Sequence, residues 1–321
     1  MAEGTRALES TEPAGGGAAG APDAAVEGIL AAFLRGETSA EVAFAQMACC
    51  AARPADVRGA MERRALEAEA AGDPRAPRLR ELARAAAEAR DGFTALVERL
   101  RAGGPAPSGG AATSADGALA EIERLFDWSA RRSEEASVAL YSLGSPEILR
   151  RATAEVVGFL DRRALLGPDR RVLQIGCGIG RFEEALSPRV AEAHGVDISA
   201  AMVAAARRRC AGLPNVRVER TDGRSLALFP DAVFDLVYAV DSFPYLVQAG
   251  DALVDAHFRE SARVLRAGGH LLILNHSYRA DPARDREDVR RLGVAHGLDL
   301  LVDGERPFRL WDGLAWLLRL G

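Results

Sequence analysis

Residues 171–182 read RVLQIGCGIGRF, a short apolar run that passes directly into Gly176, Gly178 and Gly180 and then into a helix-like segment from about Arg181. No other stretch constrains the fold as much. A strand that turns at once into a helix needs a tight backbone turn, and glycines both permit that turn and let a ligand approach the main chain closely. Further apolar runs near 192–197, 215–219, 234–240 and 269–275 alternate with helix-like segments. This is the rhythm of repeated β–α units around a parallel sheet. Residues 299–318 could add two more strands, although WDGLAWLLRL would pass equally for a short helix.

In such a sheet, ligands bind at the carboxyl ends of the strands. The second strand ends in GVDIS, which puts Asp197 at that edge. A carboxylate there can accept from both hydroxyls of a ribose, each charge-assisted bond contributing about 1.5–3 kcal/mol, so a nucleoside cofactor is favoured. The competing role, capping the helix that begins near Ser199, is one the serine can fill itself. The third strand ends at Thr221-Asp222-Gly223, where Asp222 could accept from an exocyclic amino group such as adenine presents, or lie in solvent. The fourth opens into Asp241-Ser242-Phe243-Pro244-Tyr245. Gly268 and Gly269 read as a turn into the fifth, with Asn275, His276 and Tyr278 emerging at its end.

With these segments in order, the stretch from about 165 to 279 resembles the class I S-adenosylmethionine-dependent methyltransferases. VLQIGCGIG, GVDIS with Met202 following, RTDGR, FDLVYAVDSFPYL and RVLRAGGHLLI carry the resemblance. It implies a Rossmann-like, seven-stranded, mostly parallel sheet flanked by helices, with S-adenosylmethionine as cofactor. It further implies that Gly176, Cys177 and Gly178 line the methionine and ribose portion, Asp197 holds the ribose diol, Ile198 lies on adenine, and Asp222 with Gly223 meets its amino edge. The backbone at Val240 would lie near the sulfonium. One residue departs from the pattern: many members carry an acid where this chain has Gln174, which can still accept a hydrogen bond but lacks the charge. EEASVALYSLGSP, residues 134–146, resembles the lid of small-molecule members, and Tyr141 could close over the sulfonium, where an aromatic face attracts a cation.

A sulfonium methyl is already activated, so the protein mainly aligns an attacking lone pair, and proximity alone can contribute about 7–11 kcal/mol. A base is needed only where the nucleophile must shed a proton. Tyr245, His276 and Asp241 are the candidates, with His257 behind them; an ordinary tyrosine pKa of roughly 10 makes Tyr245 a reluctant base and a better substrate-orienting group. The expected acceptor is a small molecule. A net charge of −5 and the lack of a basic, aromatic-studded face disfavour nucleic acid. All 41 basic residues are arginines, which excludes a Schiff-base or P-loop lysine and the Tyr-xxx-Lys pair of many nicotinamide-dependent oxidoreductases. The remaining alternative is a cofactor-binding protein without chemistry.

The first hundred residues are of a different kind. Residues 1–22 are Ala-, Gly-, Pro- and Glu-rich without periodicity and read as a disordered tail. Residues 23–101 read as an all-α domain. Thr38 with Glu41 resembles a capping box, and Pro54 and Pro74 suit first-turn positions. Leu79, Leu82, Ala86, Ala89, Phe93, Leu96 and Leu100 form a heptad-like stripe that could lie inside the bundle or join two copies as a homodimer. Residues 102–117 are a Gly/Pro/Ser-rich linker, leaving 118–321 for the methyltransferase domain and its lid helices. The four cysteines, two of them adjacent, form no metal or disulfide framework, so no metal and a reducing cytoplasm are expected. The absence of a leader pattern or a long apolar run points away from export and membrane insertion.

Overall fold

The computed structural model describes residues 21–51, 53–101, 114–279 and 281–321. Most of the expected tail and linker therefore lies outside the described residues. The chain begins with five helices, α1 (Ala21–Leu34), α2 (Ala40–Cys50), α3 (Pro54–Ala70), α4 (Ala76–Glu88) and α5 (Asp91–Arg101). Three more follow the linker: α6 (Ala115–Ala130), α7 (Glu134–Val138) and, after a 3-10 turn at Leu140–Ser142, α8 (Pro146–Arg162). The first turn of α6 occupies the last residues expected as linker, because the Ser114 hydroxyl accepts from Gly117 N and starts the helix early.

From β1 (Gly167–Ile175) the chain alternates: α9 (Arg181–Leu186), β2 (Val190–Asp197), α10 (Ala200–Arg209), β3 (Val216–Arg220), β4 (Phe234–Val240), α11 (Phe243–Ala249) and α12 (Asp251–Val264). Then come β5 (Leu265–Leu274), α13 (Pro282–Ala295), β6 (Leu298–Glu305) and β7 (Ala315–Leu320). The strands form one seven-stranded sheet in the order β3-β2-β1-β4-β5-β7-β6. Pairing is parallel from β3 through β5 and antiparallel where β7 joins β5 and β6. This is the expected Rossmann-like architecture. AWLLRL is a strand because its first five residues pair with the edge of β5, from Ala315 opposite Leu274 to Arg319 opposite His270, and Leu320 pairs with Leu298 of β6.

The order reverses direction between β1 and β4, the switch point at which a crevice opens in such sheets. Val172, Leu236, Tyr238 and Leu272 face α8, α9 and α10 on one side of the sheet. Leu173, Val237, Leu271 and Ile273 face α12 and α13 on the other. Each such side chain taken fully out of water contributes about 1.5–3 kcal/mol. The helical region has its own core around Phe33, Phe44, Met47, Leu82, Phe93 and Leu96. That core also takes in Ala136, Leu143 and Ile148 from beyond the linker, so the bundle is built onto the lid.

Several local expectations shift. Ser39, not Thr38, caps α2, its hydroxyl accepting from Val42 N at 3.1 Å. Pro77 rather than Pro74 occupies the first turn of α4. The stripe from Leu79 to Leu96 is broken at Ala89, where α4 ends, and both halves turn into the chain's own bundle. Gly268 and Gly269 lie within β5, where the pairing with β4 slips between Leu265 and His270; Gly268 has φ +74°. A bulge is what an extra residue at left-handed φ produces.

Candidate functional site

The carboxyl ends of β1, β2, β4 and β5 open into a cavity of about 960 Å³. On its β1 side the glycine turn is tied across to the neighbouring strand, Gly176 N and Cys177 N both donating to Val196 O at 2.8 and 3.0 Å. Gly176, Gly178 and Gly180 take φ of +73°, +54° and +75°. Each also admits a different neighbour. A Cβ would fall 2.5 Å from Ser242 Cβ at Gly176, 2.7 Å from Val138 Cγ1 at Gly178 and 2.9 Å from Ala206 Cβ at Gly180. The turn is thus where the β4 loop, the lid and α10 converge.

Asp197 stands at the end of β2 on the cavity wall. Its Oδ2 accepts from Gly178 N and its Oδ1 from Ser199 N, both at 2.9 Å. Ser199 caps α10, its hydroxyl accepting from Met202 N at 3.1 Å, so the aspartate is not needed for that role. Burial pushes the Asp197 carboxyl up to about 6, against the pull of the N–H donors, and it remains largely ionised at neutral pH. Ile198 and Gly223 lie beside it. A Cβ on Gly223 would come 3.1 Å from Leu119 Cδ2 and 3.3 Å from Ile198 Cγ2, closing a slot between α6 and the β2 loop.

At the opposite end, Asp241 and Asn275 follow β4 and β5 directly, both at left-handed φ, +61° and +69°. Outside glycine such a conformation is uncommon. It brings the Asn275 amide to Asp241 Oδ1 at 2.8 Å. The Tyr278 hydroxyl also hydrogen-bonds Asp241, and the Tyr245 ring packs edge-on against Phe126 at 4.9 Å and Tyr278 at 5.7 Å. Burial raises the Asp241 carboxyl above the usual range and pushes the Tyr245 phenol up to about 12. Tyr245 is therefore a donor and a positioning surface at neutral pH, and Asp241 the better proton acceptor. Asn275 and Tyr278 stand in the same NHSY run as His276, but what recruits them is backbone geometry.

Gly176, Gly178, Asp197, Ile198, Met202, Gly223, Val240, Asp241, Tyr245 and Tyr141 all line this one cavity. The Tyr141 ring stacks on Trp311, 6.2 Å between centroids. Four expected side chains do not reach the cavity. His276 is 1% exposed, wedged between the Phe243 and Trp316 rings, and burial pushes its imidazole down to about 4; it is a core residue, not a base. Asp222 is turned outward, 58% exposed and paired with Arg224 at 3.3 Å. Cys177 is buried beneath the turn. Gln174 is buried on the α8 side of the sheet, its Nε2 3.5 Å from Gly176 O and its Oε1 without a partner among the described residues. A helical pattern at about 117–131 is legible in the sequence, but not the role of α6 at the site: its Leu119, Ile122 and Phe126 cover the cavity at helical spacing. Among the described residues no cluster of three acidic, histidine or cysteine side chains could hold a metal ion.

Residues 172–269, spanning β1 to the bulge in β5, match the methyltransferase domain family. Over those residues the α/β domain is similar to the class I S-adenosylmethionine-dependent methyltransferases that its motifs resemble. The methyltransferase match extends to curated relatives. An uncharacterized methyltransferase of Bacillus subtilis is 35% identical over 139 residues, 42% of this chain and 51% of the relative. A 27-O-demethylrifamycin SV methyltransferase of Amycolatopsis mediterranei is 34% identical over 158 residues, 46% of this chain and 53% of the relative. A demethylmenaquinone methyltransferase of Tropheryma whipplei is 29% identical over 159 residues, 50% and 60% of the respective lengths. The chain thus spans about half the length of these relatives. Among solved structures, a phosphoethanolamine N-methyltransferase of Haemonchus contortus shares the methyltransferase fold with a TM-score of 0.52 at 16% identity, over 64% of this chain and 50% of that one. No helix among the described residues is long and apolar enough to cross a membrane.

Proposed function

We propose that the chain transfers a methyl group from S-adenosylmethionine to a small-molecule acceptor. The observation that carries this is Asp197: a half-buried carboxylate on a cavity wall, held by two N–H donors, with lone pairs left for a ribose diol. The donor set fits the cofactor. The slot at Gly223 between Leu119 and Ile198 is flat and apolar, as an adenine ring needs, and the left-handed glycines present backbone to the amino-acid portion. Met202 supports the ribose side, and Val240 borders the sulfonium end. Asp222 and Gln174 have no part in this reading, because neither side chain faces the cavity.

The bound cofactor supplies an electrophilic methyl. The chain's residues do the rest: Asp241 accepts a proton from an acceptor hydroxyl or amine, Tyr245 and Tyr278 orient that group, and α6 with Tyr141 excludes water. The curated relatives named as demethylmenaquinone and 27-O-demethylrifamycin SV methyltransferases support a small organic acceptor. Among the described residues the α4–α5 stripe from Leu79 to Leu96 packs inside the bundle, which does not favour it as the contact of a homodimer. The separate, buried Cys177 and Cys210 accord with a reducing cytoplasm.

Calorimetry with S-adenosylmethionine and S-adenosylhomocysteine tests the cofactor, and turnover with an acceptor panel tests the chemistry. Losing both diol bonds in Asp197→Ala should weaken cofactor binding by at least about 100-fold. Unchanged affinity would remove Asp197 from the site. Tyr245→Phe should keep cofactor affinity and lower turnover, and an unchanged rate would remove Tyr245 from the acceptor end.

A further inference from the structure

We infer that the N-terminal helical bundle selects the acceptor, one stripe of α2 forming a wall of the acceptor end, and that the molecule it fits is a neutral, mostly apolar, ring-bearing compound with one hydroxyl. The inference rests on the methyltransferase reading and adds to it a role for the bundle and a substrate class. Val42, Ala45, Gln46 and Cys49 stand at helical positions i, i+3, i+4 and i+7 of α2, and all line the same cavity as Gly178 and Asp197. Ile29 of α1 and Leu96 of α5 extend that wall. A cavity face made by one helical stripe follows from the 3.6-residue period and is not a chance grazing of a surface.

The wall is fixed to the catalytic end. Val42 is buried in the core of the α/β domain with Tyr141, Leu310 and Trp311 rather than in the bundle. The Ser39 hydroxyl, which caps α2, also donates to Leu310 O at 3.5 Å. Sites for one drug-sized ligand run from about 300 to 1,000 Å³, so a cavity of about 960 Å³ lies at the top of that range and has room beyond the cofactor for a second molecule.

Chemistry narrows the occupant. The α2 wall offers an amide, Gln46, and otherwise aliphatic and thiol groups, so a charge on the part of the acceptor that lies against α2 would have no counter-ion there, an arrangement that low-polarity surroundings penalise. Besides Asp197, the acidic and arginine side chains lining the cavity are Asp241, Asp281, Asp285 and Asp312, which repel an anion, and Arg306, which is exposed to solvent. The Tyr141 and Trp311 rings, stacked with their planes 21° apart, also line the cavity and add aromatic surface, which suits a planar ring. The hydroxyl belongs at Asp241, where a proton acceptor and two tyrosines meet.

The test uses the full chain saturated with S-adenosylhomocysteine, with 2-naphthol as the neutral probe and 2-naphthoate as its anionic counterpart. Gln46 is exposed and marks where the cavity meets solvent, so Gln46→Trp narrows the α2 side without disturbing a core position. Calorimetry should show 2-naphthol binding at least about tenfold more tightly than 2-naphthoate. In Gln46→Trp, 2-naphthol affinity should fall by about tenfold or more while S-adenosylhomocysteine affinity stays within about twofold. Equal or tighter binding of 2-naphthoate, or no 2-naphthol binding by the loaded parent, overturns the substrate class. Unchanged 2-naphthol affinity in Gln46→Trp, or a parallel loss of both ligands, overturns the role of α2. Failure of the parent to bind S-adenosylhomocysteine is a separate result and counts against the methyltransferase reading itself.

Discussion

Glu183 is the residue whose chemistry the sequence conceals most completely. It reads as an ordinary surface glutamate in RFEEAL, yet it is fully buried on α9, and neither carboxyl oxygen has a partner among the described residues. A Cβ on Gly195 would lie 2.8 Å from its Oε1, and Gln174 pairs with Gly195 in the sheet, so both groups share the face around that glycine. The charge missing at Gln174 has a carboxyl neighbour on α9. Burial pushes Glu183 up to about 8, so it is mainly protonated at neutral pH. The folded chain then holds a proton that the unfolded chain releases near 4.5, and stability falls as pH rises from about 4.5 to about 8. Glu183→Gln should therefore be more stable than the parent at pH 8, by on the order of a few kcal/mol, with the gap closing toward pH 4.5. Thermal melts across that range check it, and a pH-independent gap would rule out the buried proton.

At the scale of elements, α6 shows how a helix read correctly as a helix can be misjudged in role. Its apolar period was visible in the sequence; its contacts were not. Asp127 Oδ1 accepts from the Ser199 hydroxyl at 2.5 Å and from Ala201 N at 2.9 Å, fastening α6 to the start of α10 across more than 70 residues of chain. Glu123 pairs with Arg220, and Asp116 with Arg224 at 2.7 Å. These two pairs are largely exposed and contribute little each, whereas the Asp127 bonds act like a second cap. Asp127→Ala should cost about 1–2 kcal/mol at that junction and weaken S-adenosylhomocysteine binding by roughly tenfold, because Leu119 and Phe126 would no longer be held over the cavity. Calorimetry reads this directly. Full affinity in the variant would show that α6 is positioned by packing alone.

For the whole molecule, the question is whether bundle and α/β domain behave as two bodies. Ala136, Leu143 and Ile148 belong to the bundle core, and Val42 of the bundle belongs to the α/β core, so each region completes the other's interior. Trp128 packs on the first, while Trp311 and Trp316 report on the α/β side. Urea unfolding followed by tryptophan fluorescence and by far-ultraviolet circular dichroism should give coincident single transitions. Two separated transitions would show that the bundle folds independently of the domain it adjoins.

Most of the fold was legible in the sequence, because strand–glycine–helix order and apolar period are local properties of the chain. The glycine turn, the five parallel strands and Asp197 at the end of β2 all follow from spacing that a parallel sheet must obey. The failures share one physical cause: the direction of a side chain after a strand ends depends on backbone torsions and on neighbours far away in sequence. His276 and Tyr278 stand two residues apart, and left-handed Asn275 precedes a turn that sends one into the core and the other to the cavity. Asp222 had the right position and turned outward to Arg224. That the alanine-rich α2 presents Val42, Ala45 and Gln46 to the same cavity as Asp197 is a fact of tertiary packing alone, since nothing in a helix's own sequence says what its face will meet.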